Sequence, residues 1–555
     1  MNNNTRLIFL VFSFFLIVNL ASNGGHFDEW DGVETFLVTE SMVLKHSVKL
    51  HPDVPSIEKL LFNIRYTVWA NKELQTGKNY NYNTMQLEPV YTLRSLFLSA
   101  VAVPFYYAAI IFSIAPIPLV AILVNSLIIS LTSLLIFCFS LEIYDSKKIA
   151  FILSLIFGLC SFVWPYITSL WPQPLQALCI LASAFFIYMS LHHHFSFICQ
   201  YSRPKNKGIY FAGLGGLFLG LSVFAHPTSA IVIPGFIVYS IFSMKSNRKS
   251  LFSFLIILGI ILFFVGVVNY WRFGSFTEFG YGYYGSLSAH AGWTGLIGLL
   301  VSPGFGLIFY FPIAILLPLA LKHMYRKNKG LFFLATYVIF VNWFWVGTLS
   351  YGEGSRDWSG ATAWGPRYLI PVLPFITIVF GSLLLHLKKT LFLKKTLFLK
   401  LSVIILCIAG FYVNLLGILV WYMYGYTYGW RIEGLWKSVN YMSIMTWNPY
   451  YSPIVLHTKA LISDYLSHLQ PEQYRYTSWY WTTYGLAPCS YDIYLFCKLG
   501  IMPTLLLYSV IAILAMLIIK EISKFNPLSF IIVQLKNNCG STNRNRQKIN
   551  TSESS

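Results

Sequence analysis

The residues with the clearest chemical potential lie near the start of the chain, in the run His26-Phe27-Asp28-Glu29-Trp30-Asp31-Gly32-Val33-Glu34. This cluster of carboxylates follows directly on an apolar segment and opens a helix expected to run to about Leu44. A carboxylate at a helix N-terminus is held rigidly and kept ionised by the helix dipole. A general base needs that placement. The spacing also has a structural reading, because Asp31 with Glu34 three residues later fits an N-capping box. One carboxylate can serve both purposes.

The elements that must position this cluster are membrane helices. Of 555 residues, 56% are hydrophobic and 11% charged, with a mean hydropathy of +0.62. Soluble domains carry roughly 25% charged residues, so the chain is built for lipid. A net charge of +19 invites a nucleic-acid reading, but the basic residues sit in short clusters between long apolar runs, which excludes nucleic acid as a partner. A transmembrane helix needs about 20 apolar residues. Segments near 7–22, 117–141, 149–166, 174–191, 208–225, 228–244, 251–270, 305–321, 331–348, 367–386, 401–424 and 501–520 qualify. The expected fold class is therefore an all-α polytopic membrane protein with about twelve transmembrane helices. Its long first extracytoplasmic loop is expected to carry juxtamembrane helices.

Charge sets the topology. If the apolar stretch from Arg94 to Ala115 spanned the bilayer, Lys147 and Lys148 would fall outside and every later basic loop would alternate wrongly. Read as an interfacial or re-entrant segment broken by Pro104, Pro116 and Pro118, it restores the alternation. On that assignment 24 of 39 Lys and Arg lie inside, as the positive-inside rule requires. At the same time 16 of 20 Asp and Glu lie outside. Acidic residues contribute little to insertion, so their segregation points to chemistry or binding on the outer face. The chain is thus expected to be an integral multi-pass protein of the cell membrane (or the endoplasmic reticulum in a eukaryote), with both termini cytoplasmic. The first helix is also short enough to be a cleaved signal peptide. Three regions follow: 1–424 as the transmembrane body with a first outer loop over about 23–116, 425–500 as an extracytoplasmic loop, and 501–555 as the last helix with a basic tail.

Other features carry less. Only Cys489 and Cys497 fall outside, in one loop, where the compartment permits a disulfide that nothing in the sequence fixes. His192-His193-His194 at a cytoplasmic helix end reads as interfacial polar residues, and no Cys or His spacing resembles a zinc site. The duplicated Lys-Lys-Thr-Leu-Phe-Leu at 388–399 reads as an amphipathic cytoplasmic helix on anionic lipid.

Several blocks, in order and all at outer helix ends, resemble the GT-C glycosyltransferases. The likeness is greatest to the branch containing protein mannosyltransferases and aminoarabinose transferases (glycosyltransferase family 39-like). They are Asp31-Gly32 with Thr39-Glu40-Ser41-Met42-Val43; Tyr91 to Tyr107, ending in Val103-Pro104-Phe105-Tyr106; and Trp164-Pro165-Tyr166 through Pro174. Further on come Gly220-Leu221 with His226-Pro227-Thr228, the run Leu300 to Leu307, and Trp364-Gly365-Pro366-Arg367-Tyr368. The resemblance extends over about residues 7–387. It implies an inverting membrane glycosyltransferase that moves a hexosyl or pentosyl group from a polyprenyl- or dolichyl-phosphate donor, on the extracytoplasmic face, to a lipid, glycan or protein acceptor. No cofactor is implied.

By its place in the resemblance, Asp31 is the residue that deprotonates the acceptor hydroxyl, with Asp28 second because Asp28-Glu29 has a form common in the family. The phosphate leaving group calls for positive charge at the outer surface, and an arginine fork suits it. Arg367 and Arg94 are the first candidates, followed by Arg272 and His226; each also reads as an interfacial side chain snorkelling to headgroups. Two departures stand out. The second outer turn reads Pro172-Gln173-Pro174 where relatives often have an acid, so no catalytic metal is expected. His226 stands where relatives often have arginine, and a neutral imidazole would weaken a phosphate contact. The aromatic residues Tyr281, Tyr283, Tyr284 and Trp293, and Trp479, Tyr480, Trp481 and Tyr484, suit sugar faces and suit an interfacial aromatic belt equally. An oligosaccharide ligase or polymerase would not need the acidic opening of the first loop. A transporter would need ionisable groups inside the spans, which carry almost none. A degenerate, inactive relative is a further reading.

Overall fold

The computed structural model of the chain describes residues 3–27, 30–59, 68, 72, 81, 87–191, 207–245, 247–280, 292–348, 357–360, 363–389, 394–420, 441–462 and 501–523. Asp28, Cys489, Cys497, His192 to His194, Tyr281, Tyr283, Tyr284, Trp479, Tyr480, Trp481 and Tyr484 lie outside the described residues. Among the described residues the regular structure is helical, apart from one isolated antiparallel bridge, Leu50 to Val90.

The helices are α1 (Asn3–Ala21), α2 (Trp30–Leu44), α3 (Leu96–Ile111), α4 (Pro116–Tyr144), α5 (Lys147–Cys160), α6 (Gln173–Leu191), α7 (Lys207–Ala225), α8 (Ile233–Ser243) and α9 (Arg248–Phe273). They continue as α10 (Gly292–Val301), α11 (Leu317–Lys327), α12 (Lys329–Thr348), α13 (Leu373–Lys389), α14 (Lys394–Leu419), α15 (Tyr441–Trp447), α16 (Pro453–Ala460) and α17 (Ile501–Ser523). Nine described helices are long and apolar enough to cross a bilayer: α1, α4, α6, α7, α9, α12, α13 with the turn before it, α14 and α17. The chain is an integral multi-pass membrane protein.

Four of the expected segments are not single helices: 367–386 opens on the 3-10 turn Arg367–Val372 before α13, and three others also divide. Residues 149–166 divide into α5 and a 3-10 turn at Trp164–Ile167. Residues 228–244 begin as a 3-10 turn, Pro227–Val232, before α8, and 305–321 pass through Leu307–Tyr310 and Pro312–Leu316 before α11. The turns Trp164–Ile167, Pro227–Val232 and Pro312–Leu316 each have a proline in the first turn, where the missing N–H costs least. The lysine-rich repeat is not a helix of its own. Its first Lys-Lys pair ends α13 and its second copy opens α14.

Arg94 to Ala115 forms α3, which at 16 residues is shorter than the crossing helices and continues into α4 through a turn before Pro116. One side of α3 packs on α2 and α4, burying Leu98, Ala102 and Tyr106 against Phe36, Leu37 and Val124. A line of polar contacts also joins α2 to α3. Thr39 Oγ1 donates to Ser99 O (3.1 Å), Ser99 Oγ to Thr35 O (3.0 Å) and Tyr106 OH to the buried Glu40 carboxylate (2.7 Å). Glu40 also accepts from the backbone and side chain of Ser56, at 3.2 and 2.8 Å. In an apolar setting such bonds fix one register, because a slip would strand every partner.

Candidate active site

Asp31 lies in the first turn of α2. Gly32 brings that turn against the link 161–172: a Cβ there would meet the Leu170 backbone nitrogen at 3.3 Å. The link is itself braced by two buried asparagines. Asn23 Nδ2 donates to Ile167 O (2.7 Å), and Asn125 Nδ2, on α4, donates to Tyr166 O (3.3 Å), Ser169 O and Trp171 O (3.4 Å). A lone asparagine in a long apolar helix signals an obligatory partner, and Asn125 is the signal that sequence reasoning passed over.

Arg94 stands just before α3, where Ser95 caps the helix by accepting from Leu98 N. Its guanidinium binds two acids of α2, with Nη2 2.8 Å from Asp31 Oδ1 and Nε 2.6 Å from Glu34 Oε2. The capping-box expectation is corrected for Asp31, which sits inside the helix rather than ahead of it; Glu34 binds Arg94. The two acids differ in access: the Asp31 side chain is 24% exposed, that of Glu34 only 3%.

Arg367 opens the 3-10 turn Arg367–Val372 that leads into α13. Gly365 makes the approach with φ +72°, a region closed to most side chains, and a Cβ there would strike Tyr310 at 2.8 Å. Arg367 lies over the Trp171 ring (4.4 Å), donates to Tyr368 OH (3.0 Å) and places Nη1 3.6 Å from Asp31 Oδ2. Asp31 therefore bridges two arginines that come from segments far apart in sequence. Trp171 had no role in the sequence reading; only its place beside Gln173 in the second outer turn hinted at one.

The remaining candidates separate. Arg272, at the end of α9, donates through Nη2 to Thr92 O (2.5 Å) and Arg94 O (3.2 Å) and stacks on Phe273, so it holds the backbone that carries Arg94. His226 caps the 3-10 turn after α7, and its Nδ1 pairs with Thr228 Oγ1 at 2.7 Å. Burial, with Arg367 and Arg94 nearby and Asp31 in partial opposition, pushes its imidazole down to about 4. It is neutral at neutral pH, so it brings no positive charge to the site. Ser95 Oγ donates to Phe224 O (3.1 Å), which ties the Arg94 corner to the His226 corner. Trp293 is 77% exposed at the start of α10 and belongs to no cluster here.

Behind Arg367, Trp364 is fixed from several sides. Its carbonyl accepts from Tyr166 OH (3.1 Å), its indole donates to Asn414 (3.3 Å), and the His457 ring packs on it at 4.5 Å. The segment 441–462 is thus seated on the body, with Gly304 N also donating to Thr446 O (3.1 Å). Among the described residues no three His, Cys, Asp or Glu side chains gather as metal ligands, and Asp31 and Glu34 are both engaged by guanidinium groups.

No protein-family model and no curated protein matches the chain. Among solved structures it is similar to ArnT from Cupriavidus metallidurans bound to undecaprenyl phosphate, with a TM-score of 0.37 and 13% identity over 79% of this chain and 77% of that one. It is also similar to the archaeal oligosaccharyltransferase AglB from Archaeoglobus fulgidus in complex with an inhibitory peptide and a dolichol-phosphate, with a TM-score of 0.38 and 13% identity over 76% of this chain and 59% of that one. The apo form of the Archaeoglobus fulgidus oligosaccharyltransferase gives 0.35, 12%, 69% and 55%.

Proposed function

We propose that the chain is an inverting membrane glycosyltransferase that takes a sugar from a polyprenyl- or dolichyl-phosphate donor at the extracytoplasmic surface. The observation that carries this reading is the contact of one accessible carboxylate, Asp31, with both Arg94 and Arg367. Asp31 takes the proton from the acceptor hydroxyl. The hydroxyl oxygen bonds to the anomeric carbon from the face opposite the phosphate. The bond from that carbon to the phosphate oxygen breaks, and its electron pair leaves with the lipid phosphate. The two guanidinium groups receive the charge that develops there, and their planar forks suit phosphate oxygens. Charge sorting in the sequence supports a site on the outer face, where a lipid-anchored donor would present its headgroup. The acceptor is a lipid, glycan or protein hydroxyl.

The test is sugar transfer from a panel of lipid-phosphate donors by the purified full chain, with Asp31→Asn beside it. Asp31→Asn is expected to lower the transfer rate by about 10²- to 10⁴-fold, the usual contribution of a general base, while still binding the donor. Transfer by Asp31→Asn at the wild-type rate would move the role to Asp28, for which Asp28→Asn is the parallel variant.

A further inference from the structure

Two polar groups beside the site take no part in the reaction just described. Gln173, the first residue of α6, is 4% exposed, and its side-chain oxygen has no hydrogen-bond partner among the described residues. Buried amide oxygens are almost always paired, so an orphan calls for an explanation. One turn along the same face, Gln176 Nε2 donates to Thr228 Oγ1 at 3.0 Å. That hydroxyl oxygen lies 2.7 Å from His226 Nδ1, and Thr228 N donates to the same Nδ1 at 3.4 Å. The Thr228 N–H makes Nδ1 an acceptor, which assigns the ring proton to Nε2. Nε2 makes no hydrogen bond among the described residues.

Both groups border the charged centre. Trp171, two residues before Gln173, carries the Arg367 guanidinium on its ring, and the turn Arg367–Val372 packs on α6. His226 lies within electrostatic reach of Arg367, Asp31 and Arg94. The site thus has a charged half made of carboxylates and arginines, and an uncharged half that offers one amide oxygen and one imidazole N–H.

We propose that Gln173 and His226 form an uncharged binding face for the hydroxyl groups of a neutral sugar. Nε2–H donates to a hydroxyl oxygen, and a hydroxyl donates to the Gln173 side-chain oxygen. This rests on the transferase reading above and narrows its substrate class to a neutral hexose or pentose, as opposed to a sugar bearing an amine or a carboxylate.

The experiment measures binding of two probes to the full chain in nanodiscs: a polyprenyl phosphate, and the same lipid phosphate carrying a neutral hexose. The wild type is expected to favour the hexose-bearing lipid. His226→Ala should weaken that lipid about ten-fold, the scale of one lost hydrogen bond to a committed partner, and leave the bare lipid phosphate unaffected. His226→Gln keeps an N–H donor and should retain the preference. Gln173→Glu is nearly isosteric, so it guards against misfolding; it should lose the preference for hexose and gain one for an aminohexose lipid. Arg367→Ala should weaken both probes alike. A wild type without preference, or equal losses for both probes in His226→Ala and Gln173→Glu, overturns the neutral face. Failure of the wild type to bind either lipid overturns the transferase reading instead.

Discussion

At the scale of single residues, the two carboxylates of the α2 turn divide their work by access. Glu34 is almost wholly buried and bound to Arg94, whereas Asp31 shares that arginine and keeps solvent contact. Removing one member of a buried ion pair leaves the other charge uncompensated, at a cost of about 3 kcal/mol or more. Arg94→Leu should therefore lower the denaturation midpoint, and Glu34→Leu added to it should recover much of the loss without recovering transfer. Thermal unfolding of the single and double variants, read beside transfer rate, checks this. A strictly additive double variant would remove the pair. His226 gives a pH prediction with a definite sign. Its imidazole is pushed down from 6.5 to about 4 by burial, Arg367 and Arg94, against Asp31. Between those values the unfolded chain binds a proton that the folded site refuses, so stability falls as pH falls, by up to about 3 kcal/mol across the window. Above pH 6.5 the group contributes nothing. Unfolding midpoints at pH 7, 6 and 5 should thus drop more steeply for the wild type than for the non-titrating His226→Gln.

At the scale of elements, two glycines set the angles at which the arginine and the acid meet. Gly365→Ala would place a Cβ at φ +72° and against Tyr310, with about 1–2 kcal/mol of backbone strain and a displaced Arg367. The expected outcome is a large loss of donor binding with a small loss of stability, separated by measuring both. The positions of Asp31, Arg94 and Arg367 were legible in the sequence because each sits at a boundary between apolar and polar segments, where motif and hydropathy agree. What joins them was not. Asn23, Asn125 and Trp171 act across long sequence separations, through carbonyls and a ring face that no local pattern encodes. The capping box misled about Asp31, because the helix already includes Trp30 and Asp31 lies inside its first turn, where Arg94 reaches it. Similarly, prolines in first turns made three apolar stretches look continuous that fold as helix joined to 3-10 turn.

At the scale of the whole molecule, charge sorting predicts which side of the bilayer holds the site. A cysteine at Asp53, which is 62% exposed, should react with a membrane-impermeant maleimide in intact cells. One at Lys249 should react only after permeabilisation. The reverse pattern would put Asp31 in the cytoplasm and end the proposal of an extracytoplasmic donor.

One contact reaches further than its energy. Arg6, at the start of α1, lies 3.6 Å from Glu521, at the end of α17, and the two helices pack together. The pair is one-sided in burial, with Arg6 half exposed and Glu521 buried. As a statement of parity it constrains the whole path. Among the described residues, the entrance to α1 and the exit from α17 lie at one side of the bilayer, so the chain between these two points makes an even number of passages. A single extra passage would carry Glu521 across about 30 Å of hydrocarbon from Arg6. Reporters fused to the two ends should therefore register one compartment, and any passage added through α3 must be matched by a second one elsewhere.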